Sequence, residues 1–155
     1  RLNSVRKNIM SVCVRDMTIS DIGEVFAIES ASFTSPWSEE SLCAEVAGYG
    51  AVARVALCGG NIVGYVTVKQ IIDEAELTHV AVKPGFRRMG MARLLVEDAL
   101  GLLRRRGVKR IFLEVRASNI AAIELYRGAG FKETGIRKAY YNNPVEDAIV
   151  MKMEI

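Results

Sequence analysis

The chain has 155 residues, of which 50% are apolar, 25% charged and 7% aromatic. That length suits one domain able to bury a core without metal or disulfide staples, and the apolar fraction excludes a disordered chain. The net charge of +3, from 21 basic and 18 acidic side chains, suits an anionic ligand but falls short of the clustered basic surface that nucleic acid demands.

Residues 1–10 are polar and basic, lack the apolar stretch of a secretory signal, and read as a disordered or added extension ahead of Met10. Val12–Arg15 reads as a short strand. Thr18 or Ser20 offers an N-cap to a helix near Asp21–Ser32, where Ile22, Val25, Phe26 and Glu29 recur at helical spacing. Pro36 breaks the chain, and Ser38-Glu39-Glu40-Ser41 opens a second short helix with acids at its positive end. Two β-rich runs, Ala51–Leu57 and Ile62–Ile72, flank Cys58-Gly59-Gly60-Asn61, which is a hairpin signal. Ala75–Val82 adds a third antiparallel strand, stopped by Pro84-Gly85.

The second half alternates. Met91–Arg106 predicts a helix with Ala92, Leu95, Val96, Ala99, Leu102 and Leu103 on one stripe. Arg104, Arg105 and Arg106 complement the dipole of its last turn, and Gly107 is placed to end it. Lys109–Val115 reads as a strand, Asn119–Ala129 as a helix ended by Gly130, and Phe131–Tyr141 and Ala148–Met153 as closing strands. This order predicts an α/β fold on a mixed sheet, a single domain over residues 11–155. No apolar run approaches the roughly 18 residues that span a bilayer, so a soluble, cytoplasmic protein is expected. Cys13, Cys43 and Cys58 lack paired spacing and His79 is the only histidine, so neither a disulfide framework nor a metal centre is expected. The cysteines read as small core residues.

The strongest local pattern runs from Val80 to Ala92: a strand, a basic glycine-containing turn, then an amphipathic helix. The first N–H groups of a helix lack partners, and a diphosphate placed there accepts several hydrogen bonds. Gly90 and Ala92 are small where a backbone must come close, and Arg87, Arg88 and Arg93 surround Met89 and Met91 with charge. Neither a Walker loop nor a three-glycine dinucleotide pattern is present. An ordinary turn with solvated arginines fits the spacing as well. Glu114 shares a strand face with Phe112, where a carboxylate is either paired, to Arg116 or Arg137, or desolvated. Tyr126 borders a helical stripe of Ala122, Leu125 and Ala129, and its hydroxyl needs a partner if buried.

Arg87-x-x-Gly90-x-Ala92 behind Val80-Ala81-Val82 resembles the acetyl-coenzyme A pyrophosphate loop of the GNAT acetyltransferases, which reads Gln/Arg-x-x-Gly-x-Gly/Ala. Arg87 stands where glutamine is frequent and Ala92 where glycine is frequent. Leu113-Glu114-Val115-Arg116-Ala117-Ser118-Asn119, Ala121-Ala122, Leu125-Tyr126 and Gly130-Phe131 narrow the resemblance to the RimI-type ribosomal-protein-alanine N-acetyltransferases. Phe33-x-x-Pro36-Trp37-Ser38, Asp73-Glu74-Ala75, Tyr140-Tyr141 and Glu146-Asp147-Ala148 extend it over nearly all of Val12 to Met153.

The resemblance implies a mixed, mostly antiparallel sheet flanked by helices and splayed between Ala75–Val82 and Lys109–Val115. Backbone of Val80, Ala81 and Val82 would then meet the pantetheine arm, the loop from Arg87 to Arg93 the pyrophosphate, and Asn119 the cofactor again. It implies Glu114 as general base and Tyr126 as general acid in direct acetyl transfer, with acetyl-coenzyme A as co-substrate and no metal. The implied acceptor is the N-terminal alanine of a small-subunit ribosomal protein, with no direct contact to nucleic acid or membrane. An α-amine, with a pKa near ~8 against ~10.4 for lysine, suits a modest base. Trp37, Glu76, His79, Tyr140 and Tyr141 are the expected acceptor-side residues, with Glu74 a further carboxylate of that groove or of a solvated rim. The rival readings are a GNAT enzyme for lysine side chains or small amines, and a non-catalytic acyl-coenzyme A sensor. Glu114 together with Tyr126 argues against the sensor.

Overall fold

The structure is a computed structural model that describes residues 11–155. The expected extension over residues 1–10 lies outside the described residues. Apolar runs in the first half pair into an antiparallel meander of β1 (Val12–Asp16), β2 (Ala51–Cys58), β3 (Asn61–Ile71) and β4 (Glu74–Val82). Gly59 and Gly60 join β2 to β3 with φ of 58° and 82°, the left-handed pair that a two-residue hairpin turn requires. Between β1 and β2 lie α1 (Ile22–Ser32) and α2 (Glu39–Ala47). A 3-10 turn, Ile19–Asp21, leads into α1, and the Thr18 N–H donates to the Asp21 carboxylate at 2.8 Å. Ser38 caps α2, its hydroxyl accepting from the Ser41 N–H at 3.1 Å.

The second half supplies α3 (Met91–Arg105), β5 (Arg110–Arg116), α4 (Ile120–Ala129), β6 (Lys132–Tyr141) and β7 (Glu146–Glu154). The seven strands form one sheet in the order β1-β2-β3-β4-β5-β7-β6. Asn119 caps α4 through Ala122, and Gly130 ends it at φ 114°. The expected elements stand with bounds shifted by a residue or two. Phe131 is a buried core residue before β6 rather than part of it. Cys13 is exposed, contrary to the expectation of a core cysteine, because β1 is an edge strand.

Helices α3 and α4 cover one face, where Leu95, Leu103 and Tyr126 pack against Val66, Leu77, Ile111, Leu113 and Met151. Helices α1 and α2 cover the other face only over the first half, where Val25, Ile28 and Leu42 meet Val55, Tyr65 and Ala81. Period-2 alternation along β5 buries Ile111, Leu113 and Val115 under α3 and α4. It turns Phe112, Glu114 and Arg116 to the side that α1 and α2 leave uncovered.

β4 and β5 are parallel neighbours, yet they pair only from Glu74–Arg110 to Glu76–Phe112. Beyond Glu76 they diverge. The register between β3 and β4 supplies a cause: Thr67 pairs with His79 and Val68 with Leu77, which leaves Thr78 as an extra residue. Such a bulge bends its strand and reverses which face the following side chains meet. Ala75 and Leu77 point to the α3 side, whereas Ala81 packs with the α1 core. Thr67, fully buried, satisfies the bulge: its hydroxyl lies 2.7 Å from the Thr78 hydroxyl and accepts from the His79 N–H at 3.2 Å. Among the described residues no helix is long and apolar enough to cross a membrane.

Candidate active site

The divergence of β4 from β5 opens a cavity of about 700 Å³, lined by β4, the turn after it, the start of α3, the end of β5 and α4. Lys83 N–H donates to Val63 O at 2.7 Å, so residues 81 and 83 turn their backbone groups to β3. Val80 and Val82 therefore present theirs to the cleft. The Val82 carbonyl there accepts from Arg87 Nε at 2.9 Å, and Arg87 also reaches the Ser32 hydroxyl at 3.1 Å. Arg87 thus ties the loop to the end of α1 instead of standing free in solvent.

The loop enters α3 through two left-handed residues, Arg88 at φ 61° and Gly90 at φ 82°. The first intrahelical bond is Leu94 N–H to Gly90 O at 3.0 Å, so the N–H groups of Met91, Ala92 and Arg93 have no helical partner. All three line the cavity with Gly90, Arg87 and Arg88. A Cβ added to Gly90 would meet no atom within 4 Å, so the cradle is open. Unpaired donors, a helix N-terminus, three arginines and a strand edge open at Val80 and at the Val82 N–H fit a cofactor with a diphosphate and an amide-bearing arm. Of those arginines, Arg93 pairs with Glu97 at 2.6 Å. Met89 is half-buried and is the one loop residue between Arg87 and Arg93 that does not line the cavity. Asn119 lines the cavity while its side chain caps α4.

Glu114 and Tyr126 both line this cavity, from β5 and α4. Of the two partners open to Glu114, Arg137 takes it at 2.9 Å, while Arg116 pairs with Glu146 at 3.4 Å. Tyr126 is buried, its ring edge-on to Phe131 at 5.9 Å. Burial pushes its phenol well above the ordinary 10, which keeps the hydroxyl protonated and able to donate. On α4 Ile123 and Tyr126 are buried, and the expected stripe of Ala122, Leu125 and Ala129 packs half-buried against the same core.

A second cavity, about 190 Å³, adjoins the first and is lined by Trp37, Glu76, Leu77, Thr78, His79, Glu114, Tyr140 and Tyr141. Thr78, His79, Glu114 and Tyr141 line both. Burial first, then the charge of Glu114, raises the Glu76 carboxyl above its ordinary range. Glu74 does not reach this cavity and pairs with Arg110 at 3.1 Å on the rim. Arg116 also donates to the carbonyls of Asn142 at 2.8 Å and Pro144 at 3.0 Å, and sits 4.6 Å above the Tyr141 ring. It thereby fastens the β6–β7 turn beside the opening.

Sequence reasoning did not identify Glu29, Tyr65 and Phe33 as parts of this region. Glu29 is completely buried in α1, and its carboxylate accepts from Tyr65 OH and from Trp37 N–H at 3.1 Å. His79 Nδ1 lies 2.7 Å from Glu29 Oε1. The signal was visible: a carboxylate on the apolar stripe of Ile22, Val25 and Phe26.

The chain matches the model of the acetyltransferase (GNAT) family over residues 22–131. It belongs to the GNAT acetyltransferase family. This GNAT chain is 35% identical over 144 residues to the [ribosomal protein bS18]-alanine N-acetyltransferase of Escherichia coli (strain K12), spanning 92% of itself and 97% of that relative. The crystal structure of the ribosomal-protein-S18-alanine N-acetyltransferase from Escherichia coli superposes with a TM-score of 0.87 at 34% identity, covering 93% of this chain and 94% of that one. Ard1 from Thermoplasma volcanium superposes with a TM-score of 0.87 at 26% identity, covering 94% of this chain and 98% of its own. The GNAT family uses acetyl-coenzyme A, and the cradle described above has the donors that such a cofactor needs.

Proposed function

We propose that this GNAT chain transfers the acetyl group of acetyl-coenzyme A to the α-amine of a protein N-terminus in the cytoplasm, an alanine of a small-subunit ribosomal protein. The relatives named above supply the acceptor class. The observation that carries the reading here is that Glu114 lines both cavities at their junction.

Backbone of Val80 and Val82 holds the pantetheine arm, and the N–H groups from Gly90 to Arg93, with Arg87 and Arg88, hold the pyrophosphate. The smaller cavity takes the peptide terminus, walled by Trp37, Tyr140 and Tyr141, and a small first side chain suits its volume. An α-ammonium is attracted by two carboxylates, Glu76 and Glu114. It replaces the Arg137 guanidinium, which is 60% exposed and cheap to displace. Glu114 accepts a proton from the ammonium, and the nitrogen lone pair forms a bond to the thioester carbonyl carbon. Collapse of the tetrahedral adduct breaks the carbon–sulfur bond, and the departing thiolate receives the Tyr126 proton. The adduct nitrogen gives up its surplus proton through solvent, which restores the phenol and leaves a neutral amide. Proximity and orientation supply most of the acceleration; the two proton transfers supply the rest.

Mass spectrometry on peptides that begin with Ala, Ser, Met or blocked Ala, each with an internal lysine, tests the reading. Acetate on the α-amine, with alanine preferred, is expected. Acetate on lysine with the α-amine untouched overturns it, and binding of coenzyme A without release from acetyl-coenzyme A on any amine favours the sensor.

A further inference from the structure

The bulge at Thr78 has a specific chemical result. Without the extra residue, His79 would share the face of Ala75 and Leu77; with it, His79 points toward α1 and meets Glu29. There the imidazole is sandwiched between two rings, Phe33 at 4.2 Å and Trp37 at 3.5 Å between centroids, both stacked. Phe33 lines the larger cavity, Trp37 the smaller, and His79 both. The three-ring stack is therefore a wall shared by the two cavities.

We propose that Glu29 is the positioning residue of this wall: its buried carboxylate locks His79 as the Nδ1–H tautomer and pins Trp37, which shapes the acceptor cavity. Glu29 accepts three hydrogen bonds, from Tyr65 on β3, His79 on β4 and the Trp37 backbone, and a carboxylate has acceptor sites for all three. With both ring faces covered and Nδ1 bound, only the Nε2 edge of His79 is left to meet a ligand. In the neutral Nδ1–H ring Nε2 is an acceptor, suited to an N–H donor on an incoming amine or peptide. A glutamine at position 29 breaks this arrangement, because its amide offers one oxygen and places an N–H2 among donors. The inference rests on the acceptor reading above only in assigning the smaller cavity to the acceptor.

The chain has one histidine and one tryptophan, so the spectroscopic signals of both are unambiguous. Nitrogen-15 NMR of the imidazole is expected to show the Nδ1–H tautomer in the wild type and a mixture in Glu29→Gln. With whichever acceptor the wild type acetylates in the peptide panel, Glu29→Gln should raise the acceptor KM about tenfold, the scale of one buried hydrogen bond left unmade. Its kcat and its coenzyme A affinity should stay within about threefold, since the loop and strand edge that hold the cofactor are untouched. Val25→Ala, a buried truncation on the same helix, is the control for simple loosening and should leave KM unchanged. Tyr65→Phe, which removes one donor and keeps the ring, should shift KM in the same direction by less, and it serves should Glu29→Gln fail to fold. An Nε2–H tautomer or a doubly protonated ring in the wild type, an unchanged KM in both variants, or an equal rise in Val25→Ala overturns the inference. Acetylation of lysine alone would sink the N-terminal acceptor reading, while the tautomer and the KM shift on the lysine peptide would still decide the role of Glu29.

Discussion

Arg137 approaches Glu114 at 2.9 Å and so occupies the carboxylate that an incoming amine would have to meet. In the proposed mechanism the acceptor takes the place of that guanidinium before Glu114 accepts its proton. Glu114→Gln should lower turnover about 10²-fold, as expected for a lost general base, with coenzyme A affinity unchanged by calorimetry. Raising the pH toward ~8 should restore part of the rate, because more of the α-amine is already neutral. Wild-type turnover in the variant near pH 7 would move the base elsewhere. Tyr126→Phe removes one hydroxyl and keeps the ring against Phe131. Turnover should fall about tenfold or more while the melting temperature moves by less than about 4 °C. Because burial raises the Tyr126 pKa, the protonated phenol persists as pH rises. The rate should therefore climb with amine deprotonation and show no loss from this acid up to about pH 10. Single residues were the least legible scale. Glu114 and Tyr126 carried a recognisable motif context, whereas Glu29 gains its meaning from contacts to Trp37, Tyr65 and His79, which are far apart in sequence.

Turns and caps were easier to read, because the conformations they impose are local. Gly59-Gly60, Ser38 and Gly130 each occupy the position their chemistry suggests. Gly90 adds a constraint: at φ 82° any side chain costs about 1 kcal/mol or more in backbone strain. Gly90→Ala should weaken coenzyme A binding at least about tenfold by calorimetry, since straining this residue displaces the N–H groups that follow it. Unchanged affinity would remove the loop from the cofactor site. At the start of α1, hydrogen bonding to Arg15 first, opposed by burial and aided by Thr18, lowers the Asp21 carboxyl from the ordinary 3.8 to about 2. Its stabilisation is complete above the unfolded-chain value and is lost as pH falls through about 2. Asp21→Asn should cost about 1–2 kcal/mol at pH 7, discounted because Arg15 is partly exposed, and the gap to wild type should close between about pH 4 and pH 2. Denaturant melts across that range measure it. The bulge at Thr78 was the element missed, although the phase of β4 slips in the sequence: Ala75 and Leu77 are odd-numbered, Val80 and Val82 even. Period-2 reading assumes one residue per step and smooths over the extra one.

Across the whole molecule, one sheet is joined at its middle by only three residue pairs. The core under α3 and α4 spans both halves, whereas the core under α1 and α2 stops at the first half. Alternating strands and helices foretold the mixed sheet, but pairing length at the centre depends on the bend in β4, whose one local trace is the phase slip between Leu77 and Val80. Hydrogen exchange resolved by residue should find the Val80 and Val82 amides faster than that of Ala81, and slowed on adding coenzyme A. Uniform protection along β4 without ligand would contradict the open edge.

That open edge divides how the two substrates are recognised under mutation. A ligand paired to the main chain at Val80 and Val82 meets atoms that every residue but proline carries, so substitutions there leave most of its recognition intact. The smaller cavity, proposed to take the acceptor, is lined instead by side chains, Trp37, Glu76, Tyr140 and Tyr141, each removable by one codon change. On that assignment, affinity for the acyl donor is inherited with the fold, while acceptor choice is free to drift.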